Sequence, residues 1–202
     1  LSNWNITNGQ YWAAKASFSG TKISVANNTV LLIGEQLGIG YMLYKNFLTM
    51  DNVEITVPKG KTLEFIICDY GTIKDYDNVV LKNITIKGGG QVSFISGGSI
   101  AVNSIKSVDN SRILFIANKN LNMSDPFINA DKQLDGGCFL SSAGNMQMLV
   151  SSNAAAAFYG QMQSAGLISI GGQSGGTGKL VLRFNKIGEK LKMPNMYYLK
   201  AA

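Results

Sequence analysis

The stretch CDYGTIKDYD, residues 68 to 77, gathers Asp69, Tyr70, Asp75, Tyr76 and Asp77 into a single short segment. Carboxylates held about 5 to 10 Å apart can hydrolyse glycosidic bonds, and carboxylates beside tyrosines also bind sugars or calcium. A solvated polar turn carries the same composition with no ligand at all. The five residues are therefore read as a ligand-binding candidate, with no catalytic role and no metal assigned to them.

Elsewhere the residue types exclude more chemistry than they offer. With His 0 in the chain, Ser-His-Asp and Cys-His nucleophile systems and every histidine-containing metal site are ruled out. Two cysteines cannot make a four-thiolate zinc site, but Cys68 and Cys138 form an even pair, which suggests a disulfide in an exported protein. DPFINADKQLDGG supplies Asp125, Asp131 and Asp135 at spacings that do not match an EF-hand loop. GGQSGGTGK, residues 171 to 179, departs from a phosphate loop because Leu180 follows the lysine, and it reads as a flexible loop. No cofactor is expected.

The elements that would position the acidic segment emerge from its upstream neighbour, ITVPKGKTLEF, residues 55 to 65. Its apolar positions are Ile55, Val57, Leu63 and Phe65. The same spacing returns in ITIKGGGQVSF as Ile84, Ile86, Val92 and Phe94, and in ILFIANKNLNM as Ile113, Phe115, Leu121 and Met123. Both steps are 29 residues (55 to 84, 84 to 113). Upstream, ISVANNTVLLI repeats it as Ile23, Val25, Leu31 and Ile33. The position between the apolar pairs holds Asn28, Gly60, Gly89 and Asn118, residue types that accept a left-handed backbone. Ile168 and Ile170, followed by Leu180 and Leu182, suit a further copy with a longer insertion. Met146 and Met148 suit a degenerate one.

Repetition at this period marks a stacked architecture, in which each unit buries its apolar face on its neighbours. The expected fold is all-β: a parallel β-helix, or β-solenoid, with rungs of about 29 residues and capped ends. The same turns also fit hairpins, and a β-sandwich of hairpins is the alternative. In a solenoid, Cys68 and Cys138 lie more than two rungs apart, about 10 Å along the axis and beyond the reach of a disulfide unless Cys138 is looped out.

Residues 57 to 63, Val-Pro-Lys-Gly-Lys-Thr-Leu, followed by Gly-Thr-Ile at 71 to 73, resemble the V-P-x-G-x-T-L phrase of right-handed parallel β-helix proteins. Those proteins occur on bacterial surfaces, among secreted carbohydrate-active proteins and in phage spikes. The resemblance covers about 20 residues well and 23 to 123 loosely. It implies extracellular exposure and binding of a glycan or host surface, and it carries over no catalytic residue.

One domain spans 1–202: an N-terminal cap over 1–20 holding Trp4, Tyr11 and Trp12, a repeat stack over 21–150, and a closing part over 151–202. That last part contains a helix candidate at 153–165, read from its alanine run and Gly166, then a terminal rung and a basic segment. Lys179, Arg183, Lys186, Lys190, Lys192 and Lys200 face the single acid Glu189 there, within a net charge of +6. An anionic surface suits that segment, whereas no nucleic-acid motif is present. No apolar run reaches the length of a membrane helix and no signal peptide is recognised. Leu1 and the closing Ala201-Ala202 suit a processed or excised chain. The functional expectation is a non-catalytic extracellular binding protein, an adhesin or passenger-domain fragment recognising a glycan or host-surface receptor. A phage or virion structural or receptor-binding protein, and a polysaccharide-degrading β-helix enzyme, are the alternatives.

Overall fold

The computed structural model describes residues 2–7, 9–34, 47–68, 77–128, 136–151, 154–172 and 177–193. In chain order the strands are β1 (Ser2–Ile6), β2 (Gly9–Ala13), β3 (Ala16–Ser19), β4 (Thr21–Val25), β5 (Thr29–Gly34), β6 (Leu48–Thr56), β7 (Thr62–Cys68), β8 (Asp77–Lys87) and β9 (Gln91–Ser96). They continue as β10 (Ser99–Ser107), β11 (Arg112–Ala117), β12 (Leu121–Ser124), β13 (Phe127–Ile128), β14 (Gly137–Ser142), β15 (Met146–Val150), β16 (Ala155–Ser164), β17 (Ile168–Gly172) and β18 (Lys179–Phe184). Every strand up to β16 pairs in parallel with one that lies two or three strands on, as β7 does with β9 and β9 with β11. Hairpins would pair successive strands antiparallel. Among the described residues the antiparallel contact is the isolated bridge from Pro58 to Gly89, so the β-sandwich alternative gives way to the parallel β-solenoid.

Each full rung has three walls. The first holds β3, the N-terminal halves of β6, β8 and β10, and then β12, β15 and β17. The second holds β1, β4, the C-terminal halves of β6, β8 and β10, β13, the start of β16 and β18. The third holds β2, β5, β7, β9, β11, β14 and the end of β16. A single left-handed residue turns the chain from first wall to second in five successive rungs. These are Gly20, Asn52, Asn83, Ser104 and Asp125, with φ of 56°, 54°, 52°, 60° and 47°. The strand register stacks them.

The inside is one continuous apolar cluster, and Ile55, Leu63, Ile84, Val92, Ile113 and Leu121 are all buried in it. Phe65, Phe94 and Phe115 stack at centroid distances of 5.1 and 5.2 Å, close to the spacing of neighbouring strands.

The rungs are not of equal length. Leu63 pairs with Val92 at the expected 29-residue step, but Ile55 pairs with Ile86, because five corner residues (57–61) become three (88–90). Thereafter Val92 pairs with Ile113, a step of 21, and Ile113 with Cys138, a step of 25. Gly60 and Gly89 share a corner and both have positive φ, whereas Asn118 follows β11 at the corner from third wall to first. Asp109 and Asn110 take the place expected for Asn118. Any corner flanked by alternating strands produces the same apolar spacing, so the pattern alone does not say which corner it marks.

The segment expected as an N-terminal cap contributes β1, β2 and β3, which pair with β4, β5 and β6. Trp4, Tyr11 and Phe18, one from each wall, gather over the interior: Trp4 stacks on Phe18 at 5.4 Å and meets Tyr11 edge-on at 6.2 Å. Trp12 lies on the outer side, 57% exposed. The helix expected over 153–165 is instead β16, with Ala156, Phe158 and Gly160 buried inward in alternation. Parallel partners on both sides, β14 and β18, override the helix propensity of the alanines.

The basic segment after β18 folds back along the outside of the third wall. Its 3-10 helix, Ile187–Lys190, packs Ile187 and the following Leu191 on outward-facing Leu114 and Phe139. Gln91 donates to the Lys192 carbonyl at 2.7 Å and accepts from its N–H at 2.8 Å, and Arg112 donates to the Lys190 carbonyl at 3.0 Å.

Candidate functional site

Asp69, Tyr70, Asp75 and Tyr76 lie outside the described residues, as does the side chain of Asp77. The backbone of Asp77 opens β8 and pairs with Ser99. The chain leaves the third wall at Cys68 and rejoins the first at Asp77, so the acidic segment enters the strand that forms the edge of a groove.

That groove, about 280 Å³, runs over the outer face of the first wall. Alternation turns Leu81, Val102, Met123 and Met148 inward, which leaves their neighbours facing out. One outward row reads Val80, Ala101, Asn122 and Gln147, and the next reads Lys82, Asn103, Ser124 and Leu149, each residue stacked on the one before by the strand register. Ala101 has the smallest side chain in its row and lowers the floor between Val80 and Asn122. Asn103, Asn122, Gln147 and Lys82 are exposed and have no hydrogen-bond partner among the described residues. Their amides offer both donors and acceptors beside an apolar floor of Val80, Ala101 and Leu149. Among the described residues no carboxylate lines the groove, and Lys82 is the charged residue that does.

Asp125 and Cys138 serve the scaffold. Asp125 sits at the stacked corner, where its carboxylate accepts from the Ser151 N–H at 2.7 Å and from the Ser151 hydroxyl. Asp131 and Asp135 lie outside the described residues. Cys138 is free and faces the interior, its sulfur buried between the rows of Ile113 and Gly160. Burial pushes its thiol well above the usual range, so it is no nucleophile. Three ladder steps separate its row from that of Leu63 in β7. Gly171 and Gly172 end β17 and Lys179 begins β18, so the glycine-rich segment links first wall to second in the last rung. Among the described residues no group of three or more His, Cys, Asp or Glu side chains could hold a metal ion, and no helix is long and apolar enough to cross a membrane.

Charge is sparse on the outer walls. Glu54 accepts from Lys87 at 2.8 Å, with Lys22 at 3.9 Å, and the Lys87 hydrogen bond holds its carboxyl below the ordinary value. Glu64, on the outer side of the third wall, is raised by burial. A second cavity of about 540 Å³ lies beside the folded-back segment, between Phe139, Gln161 and Gln163 on one side and Asn185, Lys186 and Glu189 on the other. Its lone carboxylate, Glu189, is paired with Lys186 at 3.7 Å.

Sequence reasoning missed Asn103, Asn122 and Gln147. The signal was present in their alternation with Val102, Met123 and Met148, but it needed the pairing of the walls to show that the amides share one face. Comparison with protein-family models, with curated proteins and with solved structures finds no match for this chain.

Proposed function

We propose that this protein is a non-catalytic extracellular binding protein that recognises a glycan on a host or partner surface through the outer face of its first wall. The observation that carries this reading is the groove of unpartnered amides, Asn103, Asn122 and Gln147, set beside the apolar floor of Val80, Ala101 and Leu149. Amides exchange paired hydrogen bonds with vicinal hydroxyls, and apolar floors accept the C–H faces of sugar rings. The segment Asp69 to Asp77, which leads into β8, supplies Tyr70 and Tyr76 as additional contacts in this reading.

Glycan-array screening followed by calorimetry tests it. Asn122→Ala and Gln147→Ala should each weaken binding about 3- to 10-fold, the worth of one hydrogen bond, with the melting temperature unchanged. Tyr70→Ala and Tyr76→Ala should also weaken it, and no reducing ends should be released. Turnover of a polysaccharide, abolished by Asp75→Asn or Asp77→Asn in a folded protein, would replace this reading with the enzyme.

A further inference from the structure

The two ends of the stack are complementary. At the N-terminal end the strand pairings among the described residues join β1, β2 and β3 to β4, β5 and β6. At the other end, among the described residues, β17 and β18 pair on one side with β15 and β16, and the end of β16, Gln161 to Ser164, pairs on one side with β14. The last rung therefore presents unpaired strand edges together with interior side chains that the next rung would ordinarily cover. Ile168 and Ile170, which continue the buried rows of Met146 and Met148, are 44% and 40% exposed, and Phe184 is 67% exposed. After β18 the chain turns away from this end. Asn185 bonds Gly136 and the following residues run back over the third wall, so among the described residues nothing stands over the last rung.

We infer that the C-terminal rung of one copy docks on the N-terminal rung of a second, extending the parallel ladder head to tail. Three edges arranged as three walls are satisfied at once by another three-walled parallel rung, and the first rung of a second copy has that shape and strand direction. It also brings Trp4, Tyr11 and Phe18, one aromatic from each wall, to face Ile170, Phe184 and Leu182. The contact continues the interface that already joins each rung to the next within the chain. Because the two surfaces differ, the association does not close and yields rods rather than a fixed dimer. Lys15 in the first rung and Lys179 and Arg183 in the last repel across this contact, so added salt should strengthen it.

Sedimentation velocity over a concentration series, at low and high salt, reads the outcome on the whole 202-residue protein. Species beyond the dimer should grow with concentration and with salt, and electron micrographs should show rods one solenoid wide. Ile170→Lys and Tyr11→Lys, at residues 40% and 39% exposed, should each stay monomeric, while their equimolar mixture should form a heterodimer and stop there. Circular dichroism and melting would establish that each variant is folded, and Ile168→Lys replaces Ile170→Lys if it is not. A parent that stays monomeric at all concentrations would overturn the inference. So would one that stops at a dimer which Tyr11→Lys leaves intact, since that result means a symmetric C-terminal contact.

Discussion

At the corners of the solenoid, side-chain oxygens add to the carbonyl ladder that joins the rungs. Ser99 accepts from the Asn120 N–H at 3.3 Å, Asn120 from Asn145 at 2.9 Å, and Asn145 from Leu167 at 3.1 Å. Asn28 does the same for Thr62 at 3.0 Å. Short amide side chains reach one rung up while the backbone turns away, which suits asparagine to these corners. Gly89 is of the other kind. Its φ is +76°, and a Cβ there would lie 3.0 Å from the Asp109 carbonyl oxygen. Gly89→Val should therefore cost about 1 to 3 kcal/mol in urea denaturation. Gly171→Val, where a Cβ meets nothing within 4 Å, should stay within about 0.5 kcal/mol of the parent. Equal losses at both positions would remove the corner interpretation.

Strands such as β16 show how an element answers to its neighbours rather than to its own composition. Ala155–Ser164 runs along the second wall and continues into the third, pairing Phe127 with Ala157 and Cys138 with Gly160. The passage between walls falls at Gly160, where a Cβ would come within 1.8 Å of the Cys138 carbonyl oxygen. A backbone atom cannot swing aside as a side chain can. Gly160→Ala should thus destabilise by about 1 to 3 kcal/mol, the range of overpacking in a dense interior. Gly172→Ala, whose nearest atom would be 3.9 Å away, should be neutral, and thermal melts of the pair check the difference. Of the alanines of β16 only Ala156 is buried, and their run imitates a helix in the sequence.

For the molecule as a whole, the stack holds its strands by register, while the segment after β18, beyond the backbone hydrogen bond from Asn185 to the Gly160 carbonyl, is held by side chains. Ile187 and Leu191 sit on Leu114 and Phe139, and Gln91 clamps Lys192. This segment belongs to no ladder, so it should release before the stack unfolds. Ile187→Ala removes a buried side chain worth about 2 kcal/mol or more, and trypsin cleavage after Lys186 or Lys190 should accelerate roughly tenfold or more. Far-UV circular dichroism should remain that of the parent. Loss of the strand signal at the same temperature as strap release would mean that the two form one cooperative unit.

The alternation of Ile55, Val57, Leu63 and Phe65 and its return at Ile84 and Ile23 pointed to stacked rungs with these residues inside, and the parallel pairing of the strands then decided for the solenoid over a sandwich of hairpins. Period-two burial is written locally, residue by residue, and each rung repeats it. The rung lengths, the strand at Ala155–Ser164, the segment folded over the third wall and the amide face of Asn103, Asn122 and Gln147 came only from the tertiary structure. Each of these depends on which strand lies beside which. That choice is made by registers between residues 19 to 34 positions apart, and a one-dimensional pattern records the facing of a side chain but not its neighbour across the ladder.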